Sequence, residues 1–299
     1  MGAPHIVTAS PGAPAAPPPR KPRDDEIDVY GVTHPGKVRA ENQDHFLICS
    51  LRKQMVVHLT SLAETDSLME ESERLAFLAM VADGVGGGAK GAEASRITLE
   101  SVAQYVSRSM RCYYESSPGR GRGFADALHN AAVESHAELM RRGQQEPAYR
   151  GMATTLTLYL GIWPQAYLLQ VGDSRCYMLR NGKLAQITRD QTMAQELMDL
   201  GALKPEDVPA TKLAHTLSSS IGGRQSSPVV SQFEMDWNTV LLLCSDGLTN
   251  HVSDERIGER LRSMTSARQV CEALVQEALE GGGEDNITVI VGRAFPREN

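Results

Sequence analysis

The chain has 299 residues, 41% of them apolar, and a formal net charge of -7 from 30 Lys+Arg against 37 Asp+Glu. That composition supports a packed core and excludes a wholly disordered chain, and the acidic balance is the wrong sign for holding a phosphate polymer by counterion release, so nucleic acid is not an expected partner. No run approaches the roughly 18 apolar residues of a membrane span and no basic-then-apolar leader opens the chain, so a cytoplasmic protein without a membrane partner is expected.

Residues 1–25 hold seven of the 15 prolines, including Pro17-Pro18-Pro19. Such a segment buries too little apolar surface to offset its ordering entropy, and a solvated Pro/Ala-rich tail is expected there. The remainder, 26–295, reads as one continuous domain. Period-2 patterning predicts strands over 26–32 and 45–51, and a more continuously apolar strand over 75–82. Helical spacing follows twice, with Ile97, Val102, Val106 and Met110 on one stripe and Phe124, Leu128, Ala131, Ala132, Leu139 and Met140 on the next. Strands are predicted over 152–162, 166–171 and 175–180, and Asn181-Gly182 joins the last to Lys183–Ile187 as a two-residue hairpin. A short helix over 192–200 stops at Gly201, and a polar stretch runs to about 228. Strands over 229–235 and 238–244, a helix over 267–279 and a strand over 287–292 complete the order. Without regular β-α-β alternation, this favours α+β architecture with antiparallel sheets. The five cysteines are odd in number, widely spaced and mostly inside apolar runs, as expected of reduced core residues.

Four places share one design, an apolar run meeting an aspartate beside glycine or asparagine. They are Val81-Ala82-Asp83-Gly84, Gln170-Val171-Gly172-Asp173, Cys244-Ser245-Asp246-Gly247 and, inverted, Glu284-Asp285-Asn286-Ile287; Asp44 in Asn42-Gln43-Asp44 is a fifth candidate. A single such site is usually a turn. Several converging carboxylates would raise each other's pKa unless cations neutralised them, and an all-oxygen set suits Mg²⁺ or Mn²⁺ over Zn²⁺. Two such ions about 3.5–4 Å apart brace an in-line displacement at phosphorus. The glycine-rich stretch 84–91 fails as a P-loop, because Ala89 and Gly91 occupy the positions that need Gly and Ser/Thr. As a dinucleotide fingerprint it matches formally, but Asp83 would face the pyrophosphate and no β-α-β frame surrounds it. No His-Glu-x-x-His or Gly-x-Ser-x-Gly motif is present, and the eight histidines are scattered, with His45 and His251 read as surface or packing residues.

Taken in order, Arg39-x-x-Asn42-Gln43-Asp44, Val81-Ala82-Asp83-Gly84-Val85-Gly86-Gly87, Gly151-Met152-Ala153-Thr154-Thr155, Val171-Gly172-Asp173-Ser174, Ser220-Ile221-Gly222, Ser245-Asp246-Gly247-Leu248 and Asp285-Asn286-Ile287-Thr288 resemble the type 2C metal-dependent serine/threonine protein phosphatases, especially their bacterial branch. The resemblance covers roughly residues 27–293. It implies a four-layer α/β/β/α sandwich of two antiparallel sheets flanked by helices, with two Mg²⁺ or Mn²⁺ ions at one end and a third in bacterial members. Position by position, it implies that Asp83 bridges the metals, that the Gly84 carbonyl ligates one, and that Asp246 and Asp285 complete the other shell. It further implies Asp44 as a ligand directly or through water, Asp173 with Asp246 at the third ion, and Arg39 as the clamp on the substrate phosphate. Gln43 and Asn286 would support these from behind, and residues 190–222 match a variable flap. The implied activity is hydrolysis of phosphoserine and phosphothreonine in proteins by a water or hydroxide bridging the ions, in signalling opposite a Ser/Thr kinase. A non-catalytic phosphoprotein-binding member and a small-molecule phosphomonoesterase are the alternatives. Two departures stand out: Gln43 where members often carry Glu, and Val85 where many carry a His assigned to protonate the leaving group.

Overall fold

The structure is a computed structural model that describes residues 20–53, 73–87, 89–113 and 120–297. Most of the Pro-rich segment (1–19), Gly88 of the glycine-rich stretch and the side chains of Met110 and Cys112 lie outside the described residues.

Twelve strands and six helices follow along the described chain. They are β1 (Ile27–His34), β2 (His45–Lys53), β3 (Glu73–Ala82), β4 (Gly84–Val85), α1 (Ala89–Tyr113), α2 (Arg120–Gln145), β5 (Ala153–Thr154), β6 (Leu156–Ile162), β7 (Gln165–Val171), β8 (Arg175–Arg180), β9 (Lys183–Gln186), α3 (Met193–Asp199), β10 (Val229–Glu234), β11 (Val240–Cys244), α4 (Asp246–Thr249), α5 (Asp254–Arg262), α6 (Ala267–Glu280) and β12 (Ile287–Ala294). One sheet runs β1-β12-β11-β8-β9, the other β10-β7-β6-β3-β2, and β4-β5 form a small ribbon. Every pairing is antiparallel.

Alternation along the strands sorts the core into three layers. Leu78, Met80 and Ala82 of β3 face α1 and α2, meeting Ala94, Ile97, Val102 and Leu128. Phe77, Ala79 and Val81 of the same strand face the other sheet, where Cys176, Leu241, Leu243 and Ile290 wait. On that sheet's far side, Leu242, Val289 and Val291 pack against Ile257, Val270 and Leu274 of α5 and α6. The result is the four-layer sandwich that the family resemblance implies, with helices outside and sheets inside.

The hairpin at Asn181-Gly182 is as predicted, with φ of 51° and 74° at the two turn residues. The strand predicted over 152–162 is in fact two. Thr154 donates its N–H to Ile221 and Thr155 donates to the Asp83 carbonyl, so the backbone leaves the main sheet to pair with β4 before rejoining it at Leu156. Helices α4 and α5 carry no clear sequence prediction. Cys49, Cys176, Cys244 and Cys271 are free thiols, the last three buried.

Arg20 to Glu26 close one end of the sandwich. Arg20 forks onto the fully buried Glu26 carboxylate at 2.7 Å from each terminal nitrogen, which, with the Arg23 N–H, holds that carboxyl down at about 2. The opposite end gathers the motifs. In register, His45 faces Ala82, Leu156 faces Val171, Cys244 faces both Val289 and Arg175, and His34 faces Ile287. The ends carrying Asp44, Asp83, Asp173, Asp246 and Asp285 therefore all emerge on one edge of the double sheet.

Candidate metal centre

Asp83 leaves β3 and is fixed by its backbone: its N–H donates to Thr155 Oγ1 at 3.0 Å, and its carbonyl accepts from Thr155 N at 2.9 Å and Thr154 Oγ1 at 2.7 Å. Thr155 Oγ1 in turn lies 2.8 Å from Ser174 Oγ, so one hydroxyl pair couples the Asp83 turn to the Asp173 turn. Gly172 permits this approach, with φ +101° and Thr155 Cγ2 only 2.7 Å from where a Cβ would stand. Gly84 is required on the other side, since a Cβ there would lie 2.2 Å from the Gly91 carbonyl oxygen at the start of α1. Gln43 Oε1 closes on the same Gly91, leaving no room for a side chain at that position.

Asp44 is buried beneath them. Its Oδ2 accepts from Ser245 Oγ at 2.6 Å and Thr288 Oγ1 at 2.7 Å, whereas Oδ1 is buried with no hydrogen-bond partner. Asn286 joins the first and last motifs: Nδ2 donates to the carbonyls of Pro35 (2.9 Å) and Glu41 (3.0 Å), and Oδ1 accepts from Gln43 N (2.8 Å). Gly247 lets Asp246 approach that loop, since a Cβ there would sit 2.0 Å from the Asn286 carbonyl oxygen. Arg39 caps the cluster with a bidentate fork onto Asp285, Nε to Oδ1 at 2.9 Å and Nη2 to Oδ2 at 2.6 Å.

The electrostatics follow from convergence. Burial raises the Asp83 carboxyl well above the usual range, and Asp44, Asp246, Asp173 and Asp285 push it further. Asp44 is pushed up to about 7 by burial, against the pull of its two hydroxyl donors. Asp173 is pushed up to about 8 by burial and then by Asp246 and Asp190. Asp246 is raised by burial and Asp285, and lowered by hydrogen bonds with Asn250 and Asp83. Mutually repelling carboxylates in a partly desolvated cleft are what a divalent cation relieves.

Do these residues fit such an ion? The donors are all hard oxygens, and Asp44 Oδ1 is an unused buried acceptor. Among the described residues no three His, Cys, Asp or Glu side chains close around one point as a ready cage; Asp285 is drawn to Arg39, and Asp44 to Ser245 and Thr288. Mg²⁺-like ions need no such cage, because they keep much of their water and use one or two carboxylates. The set fits a hydrated hard cation.

A cavity of about 200 Å³ opens beside the carboxylates, lined by Asp173, Asp246 and Asn250 and, from the flap, Met198, Val208 and His215. The profile of the family described as "Protein phosphatase 2C" matches residues 63–281. The chain belongs to the protein phosphatase 2C family. It is 36% identical over 215 residues to the serine/threonine protein phosphatase PstP of Mycobacterium tuberculosis, which covers 72% of this chain but 40% of PstP. It is 30% identical over 216 residues to the serine/threonine phosphatase stp of Listeria monocytogenes, covering 72% of this chain and 83% of that one. The protein phosphatase 2C fold extends past the matched residues: the crystal structure of mycobacterial PstP superposes with a TM-score of 0.71 at 30% identity, over 90% of this chain and 99% of that one. The catalytic domain of PstP in complex with two manganese ions gives 0.68 at 29% identity, over 90% and 99%.

Arg39, Gln43, Asp44, Asp83, Gly84, Asp173, Asp246, Asp285 and Asn286 all stand at this one edge of the protein phosphatase 2C sandwich. Sequence reasoning passed over the hydroxyls that hold them, Thr155, Ser174, Ser245 and Thr288, all buried. The available signal was a Ser or Thr at the end of an apolar strand or just beyond it, next to an Asp motif. Both histidines near the motifs act in packing: His45 Nδ1 meets Ser95 Oγ at 2.9 Å, and His251 Nε2 accepts from Glu284 N at 3.1 Å. No described helix is long and apolar enough to cross a membrane.

Proposed function

We propose that this chain is a metal-dependent phosphatase that removes phosphate from phosphoserine and phosphothreonine in proteins, through a catalytic domain spanning about residues 26–295. The observation that carries the reading is the convergence of five aspartates at one sheet edge beside an exposed arginine fork, with the carboxyls of Asp44, Asp83, Asp173 and Asp246 raised in proton affinity by burial and by one another's charge. Asp83, the Gly84 carbonyl, Asp246 and Asp285 would hold two Mg²⁺ or Mn²⁺ ions, Asp44 would act beneath them directly or through water, and Asp173 with Asp246 would take a third. When bound, the ions supply a water nucleophile at neutral pH and positive charge against the phosphoryl oxygens.

The protein's own part is positioning. Arg39 offers a planar fork that matches phosphate geometry, and a phosphate dianion gives it an alternative partner to Asp285. Asp44 Oδ1, left without a partner while Oδ2 accepts from Ser245 and Thr288, is the acceptor that would serve an ion or its water. Val85 has no proton to give, so the proton for the leaving alkoxide has to come from another donor in the cleft. The flap cavity, walled by Met198, Val208 and His215, would receive polypeptide flanking the phosphoresidue. The similarity to PstP and stp supports phosphoproteins as substrates, with a Ser/Thr kinase acting in opposition on the same proteins.

The test is hydrolysis of p-nitrophenyl phosphate and of a phosphothreonine peptide with Mn²⁺, before and after chelation. Metal-dependent turnover of both is expected, and Asp83→Asn or Asp246→Asn should lose it by at least about a hundredfold. Near wild-type activity in these variants would overturn the metal assignment. Turnover of the small ester alone would point to a metabolite enzyme, and binding of the peptide without turnover to a regulatory member.

A further inference from the structure

The flap, residues 190–222, has little of its own to hold it in place. Among the described side chains of 191–218 only Thr192 and Ala194 are buried, so apolar packing, which supplies most of a helix's stability in a protein, contributes little here. Helix α3 is also undercut. The cavity of about 200 Å³ beside the aspartates runs along it, and a second of about 290 Å³ is lined by Leu168, Gln170 and Ile187 of the sandwich and by Glu196 and Asp199 of α3. Gln195 borders both cavities.

Where the flap leaves the sandwich, the hydrogen bonding is dense. Asp190 takes the Arg175 guanidinium, with Nε at 3.0 Å from each carboxylate oxygen and Nη2 at 2.7 Å, and also accepts from Gln186 Nε2 at 2.9 Å. Gln191 ties three segments together. It exchanges two bonds with Gly172, its own N–H donating to the Gly172 carbonyl at 3.1 Å and its Oε1 accepting from the Gly172 N–H at 2.8 Å. Its carbonyl accepts from Ser218 N at 2.9 Å, on the returning arm of the flap, and its Nε2 donates to the Ser227 carbonyl at 2.9 Å, on the way to β10. A backbone N–H can only donate and a carbonyl can only accept, so the position demands one side chain that offers both an acceptor and a donor. Gly172 is also the residue that Thr155 crowds from the other side, and Thr155 holds the Asp83 turn. Flap and cluster are thus set from one point.

We propose that Gln191 is a positioning residue for substrate selection: by fixing the flap to the Gly172–Asp173 turn it holds the cavity of Met198, Val208 and His215 over the aspartate cluster, and so favours a phosphorylated polypeptide over a small ester. The substrate half of this rests on the phosphoprotein phosphatase reading. The mechanical half rests on the hydrogen bonds alone.

The test is Gln191→Met, which keeps the side chain's length and removes both of its bonds. At saturating Mn²⁺ the KM for a phosphothreonine peptide should rise about tenfold, while the peptide kcat and both constants for p-nitrophenyl phosphate move by less than about threefold. A second change, Met198→Ala, alters the cavity wall that the flap carries; if Gln191 acts through that wall, the KM penalties of the two variants combine to less than their product. Hydrogen exchange reads the flap without turnover: the Met193 and Ser218 amides, bonded to the Thr216 and Gln191 carbonyls, should exchange about tenfold faster in the variant, with those of β3 and β11 unchanged. Gln191→Glu, which keeps the acceptor for Gly172 and loses the donor to Ser227, should shift KM in the same direction and takes the place of Gln191→Met if that variant does not fold. If the unmodified protein turns over no peptide, the phosphoprotein reading fails and the selection role with it, whereas exchange still decides whether Gln191 fixes the flap. An unchanged peptide KM, a proportional loss on both substrates, penalties that multiply in full, or unaltered flap exchange would each overturn the proposal.

Discussion

Arg39 presents the sharpest residue-level question, because its two best donors are spent on Asp285. A guanidinium held as a fork loses little freedom when it moves to a phosphate, whereas an ammonium is a point charge without that geometry. Arg39→Lys should therefore raise the KM for a phosphothreonine peptide by roughly tenfold with a smaller change in kcat, and Arg39→Ala should lower kcat/KM by a further factor of roughly ten. Steady-state kinetics at saturating Mn²⁺ separates the two parameters, and unchanged KM in both variants would exclude the clamp. Protonation provides the second residue-level prediction. Asp44 and Asp173 hold their protons to about 7 and about 8 in the fold, far above a free aspartate near 3.9. A raised folded-state pKa makes their contribution to stability whole below about pH 4 and progressively lost as pH rises through about 7 and then about 8. Chelated protein should thus need less urea to unfold at pH 8 than at pH 5.5. Saturating Mn²⁺ should narrow or reverse that difference, because ligation replaces the protons.

At the scale of elements, the site depends on turns that tolerate no Cβ. Gly247 places the start of α4 against the Asn286 carbonyl, and Gly247→Ala would force α4 and the β12 entry apart. A loss of about 1–3 kcal/mol is expected from this overpacking, or several degrees in Tm for a domain of this size. Mn²⁺ affinity should fall with it, since Asp246 and Asp285 stand on the two separated pieces; calorimetry would show the affinity change, and unaltered binding would mean the turns are not coupled. These elements also show what the sequence made legible. Strand runs ending in Asp-Gly announced where the carboxylates emerge, because a buried strand and a flexible residue leave strong local marks. The break at Thr155 left no such mark, since it arises from hydrogen bonds to Asp83 and Ile221, residues far away in the chain. Helix α5, Asp-Glu-Arg-Ile-Gly-Glu-Arg-Leu-Arg, buries only Ile257, Gly258 and Leu261, an apolar stripe too thin to stand out. Ser245 looks like an ordinary residue following a strand, and Thr288 like an ordinary strand residue, until Asp44 is seen between them.

For the molecule as a whole, sequence pattern indicated antiparallel sheets, and the family resemblance implied two of them sandwiched between helices. Strand β1 pairs along its whole length with β12, Ile27 opposite Ala294 and His34 opposite Ile287, and the Phe295 N–H donates to the Glu26 carbonyl at 3.0 Å. The first and last strands of the sandwich are therefore neighbours, and Asp44, Ser245 and Thr288 meet only after most of the chain has been brought round. Folding must close that large loop before the contacts it enables reward it, which slows the search. A circular permutant that joins residue 296 to residue 26 through a short linker, and opens the chain at the exposed Asn181-Gly182 turn, would make the β1–β12 pairing local. It should refold faster in stopped-flow experiments while binding Mn²⁺ as the original does. In kinetic terms the aspartate cluster is a late product of folding, formed only when the two ends of the domain have found each other.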